Sequence, residues 1–316
     1  MKKVLITGGT GFVGSHLLEL LLTNSELEVH VTSYTQPEAW FLEKLPPDQI
    51  HHINLEDTEQ TAQLFTQLQP DHIYHLASLA AVGTSHGNPL NTIQKNVAIQ
   101  LSVLEAVKTS CPQARLLSIG SAQGYDPHKL TSPTQLLSET HPLGPSNPYG
   151  VSKVTQELLS LAYHYTYHLN IVMVRAFNHT GERQTNDFAL PAFAQQIVAI
   201  ERGEAQELKV GNLEAVRDLT DVKDIVRAYQ LLMNEGQPGE IYNVGSGMGI
   251  VMKDALQLLL DQATVPIVVT TDPDKFRPLD VPYLVADNKK IATLGWQPTH
   301  LLAETCGRIL SYWRNQ

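Results

Sequence analysis

The stretch TGGTGFVGSHL at 7–17 follows the apolar run Val4–Thr7 directly and opens a segment, Phe12–Thr23, whose Val13, Leu17, Leu20 and Leu21 share one helical face. Three glycines spaced Gly8-x-x-Gly11-x-x-Gly14 therefore sit at a strand-to-helix turn. This constrains the chain more than any other feature. Gly8 can take the turn's unusual dihedrals, Gly11 lets a pyrophosphate approach the backbone, and Gly14 permits close helix–strand packing. The helix N-terminus faces the anion. A Gly-Lys-Ser/Thr ending is missing, so this is not a nucleoside-triphosphate loop. The expected ligand is a dinucleotide, contacted by Gly8, Thr10, Gly11, Phe12, Val13 and Gly14.

The same strand–helix rhythm continues. Strands are expected at Glu28–Ser33, Ile50–Leu55, His72–Leu76, Arg115–Ser121 and Ile171–Arg175. Helices are expected near Asp57–Leu68, Leu90–Thr109 and Pro148–His168. Such alternation implies crossover connections and a parallel sheet covered on both faces. Beyond residue 178 the rhythm loosens, with helices near Ala192–Arg202 and Val222–Asn234, a strand at Ile241–Val244 and a closing helix at His300–Arg314. The expected fold is α/β, a doubly wound parallel (Rossmann) sheet with a smaller C-terminal substrate-binding subdomain. Residues 1–177 form the dinucleotide-binding domain, with a returning segment near 220–245, and 178–316 form mainly the substrate subdomain.

Composition narrows the partners. A net charge of −10 argues against an extended nucleic-acid or anionic-membrane surface, and 42% apolar with 17% charged residues is globular. No apolar run is long enough to span a bilayer, and the N-terminal one is too short for a signal peptide. Cys111 and Cys306 lie far apart, and His164 and His168 lack the H-E-x-x-H pattern, so no metal site is expected. A cytoplasmic protein is expected.

Two further segments carry chemistry. SNPYGVSKVTQELL at 146–159 offers Asn147 as a helix cap, Pro148 in the first turn, and Tyr149 and Lys153 four apart on one face. An ammonium beside a phenol favours the phenolate and lowers its pKa, making Tyr149 a candidate acid or base. RLLSIGSAQGYD at 115–126 delivers Ser121 to the mouth of the sheet, with Gln123 two residues on. At the tip of the second strand, where an acidic residue would bond the adenosine ribose and repel a 2′-phosphate, the sequence reads VHVTSYT. Ser33 stands there, with no Asp or Glu and no neighbouring Arg or Lys. NADP(H) is thereby admitted and favoured, with NAD(H) left open.

These segments, together with HLAS at 75–78, SIGSAQGY at 118–125 and VRAFNHTG at 174–181, resemble the extended short-chain dehydrogenase/reductase family over nearly the whole chain. The resemblance implies a nicotinamide cofactor, a nucleotide-sugar substrate and a homodimer built as a four-helix bundle. Leu101, Leu104, Glu105, Val107, Leu158, Leu159 and Ala162 would lie on its paired helices. It implies that Ser121 hydrogen-bonds the reacting oxygen, Tyr149 transfers the proton, and Lys153 holds the nicotinamide ribose and tunes Tyr149. Asn54, Leu55, Leu76 and Ala77 complete the expected cofactor contacts.

Later segments, from RAFNHTGERQTNDFALPAFAQQI to RPLDVPYLVADNKKIATLGWQP, look like the branch acting on GDP-mannose derivatives. Carried over, Asn178 holds the substrate, and Arg217 and Arg277 contact its diphosphate or ribose. Within that branch, 4,6-dehydratases use a Glu two positions after the catalytic Ser or Thr to move the C5 proton. Gln123 occupies that position, facing the substrate, and an amide does not titrate. The expectation is therefore NAD(P)H-dependent reduction of the C4 keto group of GDP-4-keto-6-deoxy-D-mannose, giving GDP-D-rhamnose. A 4,6-dehydratase using another carboxylate, such as Asp126 or Glu139, and a non-catalytic dinucleotide-binding regulator are the alternatives.

Overall fold

A computed structural model describes residues 1–80, 85, 87–276 and 281–316. The chain divides into two compact units. The first comprises Met1–Tyr125, Leu143–Ala176 and Val226–Tyr242; the second comprises Asp126–Pro142, Phe177–Ile225 and Asn243–Gln316.

Strands β1 (Lys2–Thr7), β2 (Leu27–Ser33), β3 (Ile50–His52), β4 (His72–His75), β5 (Arg115–Ser121) and β6 (Asn170–Ala176) join the strand Ile241–Val244 in one sheet. Its order is Ile241–Val244, β6, β5, β4, β1, β2, β3. The ladders from β3 to β6 are all parallel. The chain runs outward from β1 to β3, then returns to place β4 on the other side of β1. That reversal opens a crevice at the carboxyl ends of β1 and β4, the ordinary ligand position in a doubly wound sheet. Leu5, Ile73, Leu116, Ile171 and Met173 pack on Phe65, Val103, Leu104 and Val107 from the helices Thr58–Leu68 and Pro89–Ser110. The near-continuous apolar runs of β1, β5 and β6 reflect burial on both faces.

Several expectations shift in detail. β3 ends three residues early: β2 stops at Ser33, whose carbonyl takes the Ile53 N–H at 3.0 Å, and the Asn54 side chain then turns the chain by accepting from Glu56 N–H. The helix expected from Ala192 begins at Ala189, because Pro191 falls in its first turn and is tolerated there. Of the stripe assigned to a dimer, Leu104 and Val107 belong to the first unit's own core, so they are not available to a partner. Val151, Leu158, Tyr165 and Tyr167 are the large exposed hydrophobic side chains of the Pro148–Tyr167 helix.

In the second unit, Val216–Asp218 pairs antiparallel with Gly249–Val251 and parallel with Tyr283–Leu284. The helices Ala189–Glu201, Met252–Leu260 and Leu302–Arg314 share a core containing Phe193, Ile197, Leu256, Leu259, Ile309 and Leu310. The Met252–Leu260 helix was not expected, although Met252, Ala255, Leu256 and Leu259 carry its apolar spacing.

Inside the first unit, Arg175 near the end of β6 meets Glu157 of the Pro148–Tyr167 helix in a two-pronged ion pair, Nε to Oε2 at 2.8 Å and Nη2 to Oε1 at 2.7 Å. Both side chains are 5% exposed. The guanidinium also lies 4.8 Å from the centroid of the Tyr125 ring. Removing one partner strands the other charge in a dry site, at a cost of about 3–5 kcal/mol. Glu157→Ala is therefore expected to lower the urea-unfolding free energy by about that amount. A loss under about 1 kcal/mol, typical of an exposed pair, would show that the pair does not anchor this helix.

Candidate active site

The glycine turn has the shape that its spacing implies. Gly8 has φ +67°, and a Cβ there would lie 3.0 Å from Ala77 Cα. A Cβ on Gly14 would fall 2.4 Å from Gly8 O, so only glycine lets the Phe12–Leu21 helix approach the turn this closely. At Gly11, by contrast, a Cβ would meet only Gly8 O, at 3.3 Å, and otherwise fill open space. Gly11 caps the helix without a side-chain hydrogen bond. An open cradle at a helix start with no side-chain cap fits the diphosphate of a dinucleotide.

The other expected cofactor residues occupy different positions. Leu76 and Ala77 follow β4, with Ala77 N–H donating to Thr7 Oγ1 at 3.2 Å. Asn54 is exposed after β3, whereas the Leu55 side chain lies in the core. Ser33 is 1% exposed. Its hydroxyl lies 2.9 Å from Thr10 Oγ1 and donates to Thr35 O, so it braces the glycine turn from behind, and the exposed side chain at the tip of β2 is Tyr34.

Ser121, Gln123, Asn147, Tyr149 and Lys153 come together in the first unit. Ser121 ends β5, and its Oγ accepts from Gln123 N–H at 3.2 Å and shares a hydrogen bond with the Tyr149 hydroxyl. Asn147 caps the next helix by accepting from Gly150 N–H at 2.8 Å, while its Nδ2 donates to Gln123 Oε1 at 3.0 Å. A Cβ on Gly150 would lie 2.4 Å from Gln123 O, so the helix start is pressed against the residue that follows the strand end. Lys153 Nζ donates to Ile119 O at 3.0 Å and stands 5.8 Å from the centroid of the Tyr149 ring.

Burial governs the electrostatics here. It pushes the Tyr149 phenol up to about 12, with the Ser121 hydrogen bond pulling the other way. It pushes Lys153 down to about 7. His75, at the end of β4, is pushed down to about 3 by burial and then by the charge of Lys153. The expected lowering of the tyrosine by the ammonium is thus corrected: burial raises the phenol, the group that opposes it is the Ser121 hydroxyl, and burial brings Lys153 itself toward its neutral form.

A polar lattice that the sequence reading missed sets the helix carrying Tyr149 and Lys153. Asn96 accepts from Leu79 N–H at 2.8 Å and donates to Ser152 Oγ at 2.9 Å. Gln156 Nε2 reaches Asn96 O at 2.9 Å, and Gln100 Nε2 reaches Ser160 Oγ at 3.1 Å. All are buried. Polar residues at buried helical positions were the available signal.

In the second unit, Asn178 accepts from Thr220 N–H through its backbone carbonyl at 3.0 Å, while its side-chain Oδ1 is buried without a hydrogen-bond partner among the described residues. Arg217 Nη1 donates to Val216 O at 2.9 Å. Neighbouring Asp218 is held by Ser246, Gly247 and Ala286, and burial raises its pKa. Arg277 lies outside the described residues. Among the described residues, no three His, Cys, Asp or Glu cluster to hold a metal, and no helix is long and apolar enough to cross a membrane.

Residues 5–309 match the family model described as GDP-mannose 4,6 dehydratase. The chain is 29% identical to GDP-6-deoxy-D-mannose reductase of Pseudomonas aeruginosa, covering 100% of this chain and 98% of that protein. It is 26% identical to GDP-mannose 4,6-dehydratase of Yersinia enterocolitica, covering 98% and 93%. The solved structure of RMD from Pseudomonas aeruginosa complexed with NADPH superposes with a TM-score of 0.86 at 28% identity, covering 100% of this chain and 99% of that one. The chain belongs to the GDP-mannose 4,6-dehydratase family of extended short-chain dehydrogenases/reductases, a family of NAD(P)-dependent sugar-nucleotide enzymes.

Proposed function

We propose that this enzyme reduces the C4 keto group of GDP-4-keto-6-deoxy-D-mannose at the expense of NAD(P)H, giving GDP-D-rhamnose. The amide at Gln123 carries the reading. It sits at the strand end beside Ser121, and its Oε1 is engaged by Asn147, so no titrating group stands there to move a C5 proton. Of the two carboxylates named as alternatives, Asp126 accepts from His128 N–H at 2.8 Å and Glu139 accepts from Asn243 N–H at 2.8 Å. The similarity to a reductase over the full chain supports the same choice.

A bound reduced nicotinamide dinucleotide would supply the hydride. The chain's own residues then handle a developing alkoxide at C4. Ser121 hydrogen-bonds that oxygen, and Tyr149 protonates it. A phenol held near 12 stays protonated throughout the working range yet is still acidic enough to protonate an alkoxide. In its charged form, Lys153 stabilises the tyrosinate left behind. Asn178, Arg217 and Arg277 are assigned to the sugar and its diphosphate; Asn178 Oδ1 is a buried acceptor with no donor among the described residues.

Loss of reduced-cofactor absorbance is expected with GDP-4-keto-6-deoxy-D-mannose and not with GDP-mannose. Tyr149→Phe should lower that turnover by about 10²–10⁴-fold. Conversion of GDP-mannose to a keto sugar without cofactor consumption would make the enzyme a dehydratase, and unaltered function in Tyr149→Phe would favour a non-catalytic role. The pH profile follows from Lys153: it is charged below about 7 and loses its proton as pH rises through that value. The kcat/KM for the dinucleotide, which reports free-enzyme groups, should be flat below about 7 and fall above it. Lys153→Met should be slower and lack that limb. We also assign a homodimer through the Pro89–Ser110 and Pro148–Tyr167 helices; Leu158→Arg should shift the light-scattering mass from dimer to monomer, and a monomeric parent protein would end this assignment.

A further inference from the structure

The carboxyl end of β2 is where a sheet of this order meets the adenosine ribose, and the residue types there decide between a 2′-hydroxyl and a 2′-phosphate. Ser33 is buried and committed, leaving Tyr34, 65% exposed, as the side chain at that tip. No basic residue adjoins it in sequence. The fold brings one from elsewhere. Lys95, on the Pro89–Ser110 helix, holds its ammonium 5.8 Å from the centroid of the Tyr34 ring. Its other partner is Glu56, in the turn after β3, with Nζ 3.3 Å from Oε1.

We propose that Lys95 reads the 2′-phosphate of the adenosine ribose and makes the enzyme selective for NADPH over NADH. The inference rests on the dinucleotide reading of the glycine turn. Four features favour it. The helix position is rigid, because the adjacent residue, Asn96, is locked to Leu79 and Ser152 in the buried lattice. The Lys95–Glu56 pair is half-exposed, at 33% and 29%, so it is weakly held and exchangeable. A phosphate monoester carries more charge than a carboxylate and offers three acceptor oxygens, so it outcompetes Glu56 for one ammonium. The ring of Tyr34 bounds the cation on another side and limits where it can swing.

Equilibrium binding of NADPH, NADH and 2′,5′-ADP to the full chain tests the assignment. The parent protein should prefer NADPH to NADH by about tenfold or more, the worth of one charge-assisted hydrogen bond. Lys95→Met should reduce that preference about tenfold and weaken 2′,5′-ADP in parallel, while Lys95→Arg keeps it. Glu56→Gln, which removes the competing carboxylate, should increase it. A parent ratio near one, or a ratio that Lys95→Met leaves in place, overturns the role of Lys95 and leaves the dinucleotide reading standing. A protein that binds neither dinucleotide loses both.

Discussion

The position of the candidate site depends on how one helix is seated. The Pro148–Tyr167 helix carries Tyr149 and Lys153, and it is held by the buried Arg175–Glu157 pair and by the polar lattice through Asn96, Gln100, Gln156 and Ser160. Such groups add little net stability compared with apolar packing, because each gives up hydration on burial. Their effect is selectivity. A helix rotated or shifted by one residue would leave several donors and a charge unsatisfied in a low-dielectric interior, so a single seating is strongly preferred. Tyr149 is thereby presented to Ser121, and Lys153 to the Ile119 carbonyl.

The same dryness that makes this seating unique sets the titration of the site. Tyr149, Lys153 and His75 are all driven toward their neutral forms, and burial is the leading cause for each. A neutral phenol is a proton donor, which suits protonation of an alkoxide better than abstraction of a carbon-bound proton. Lys153, poised near neutrality, is the group whose charge changes across the working range.

Gln123 illustrates how little chemistry an amide needs to do. Clasped by Asn147 and overlaid by the first turn of the helix, it joins the strand end to the helix start. A carboxylate could accept from Asn147 in the same way and titrate as well. At this position the chain keeps the mechanical link without a titrating group.

Much of this is legible in the sequence. The Gly8, Gly11 and Gly14 spacing, the runs of β1, β5 and β6, and the four-residue step from Tyr149 to Lys153 are local signals, fixed by dihedral limits, two-faced burial and helical pitch, and they determined the sheet and the candidate catalytic group. The early end of β3, the burial of Ser33, the core location of Leu104 and Val107 and the arrival of Lys95 beside Tyr34 were decided only by the tertiary structure. Each depends on a neighbour distant in sequence: where β2 stops, what lies behind the glycine turn, which side of a helix the sheet covers. Likewise, the phenol's pKa follows from how much water the surrounding fold excludes, which a four-residue spacing does not encode. Periodicity specifies which face of an element is apolar; only packing specifies what that face meets.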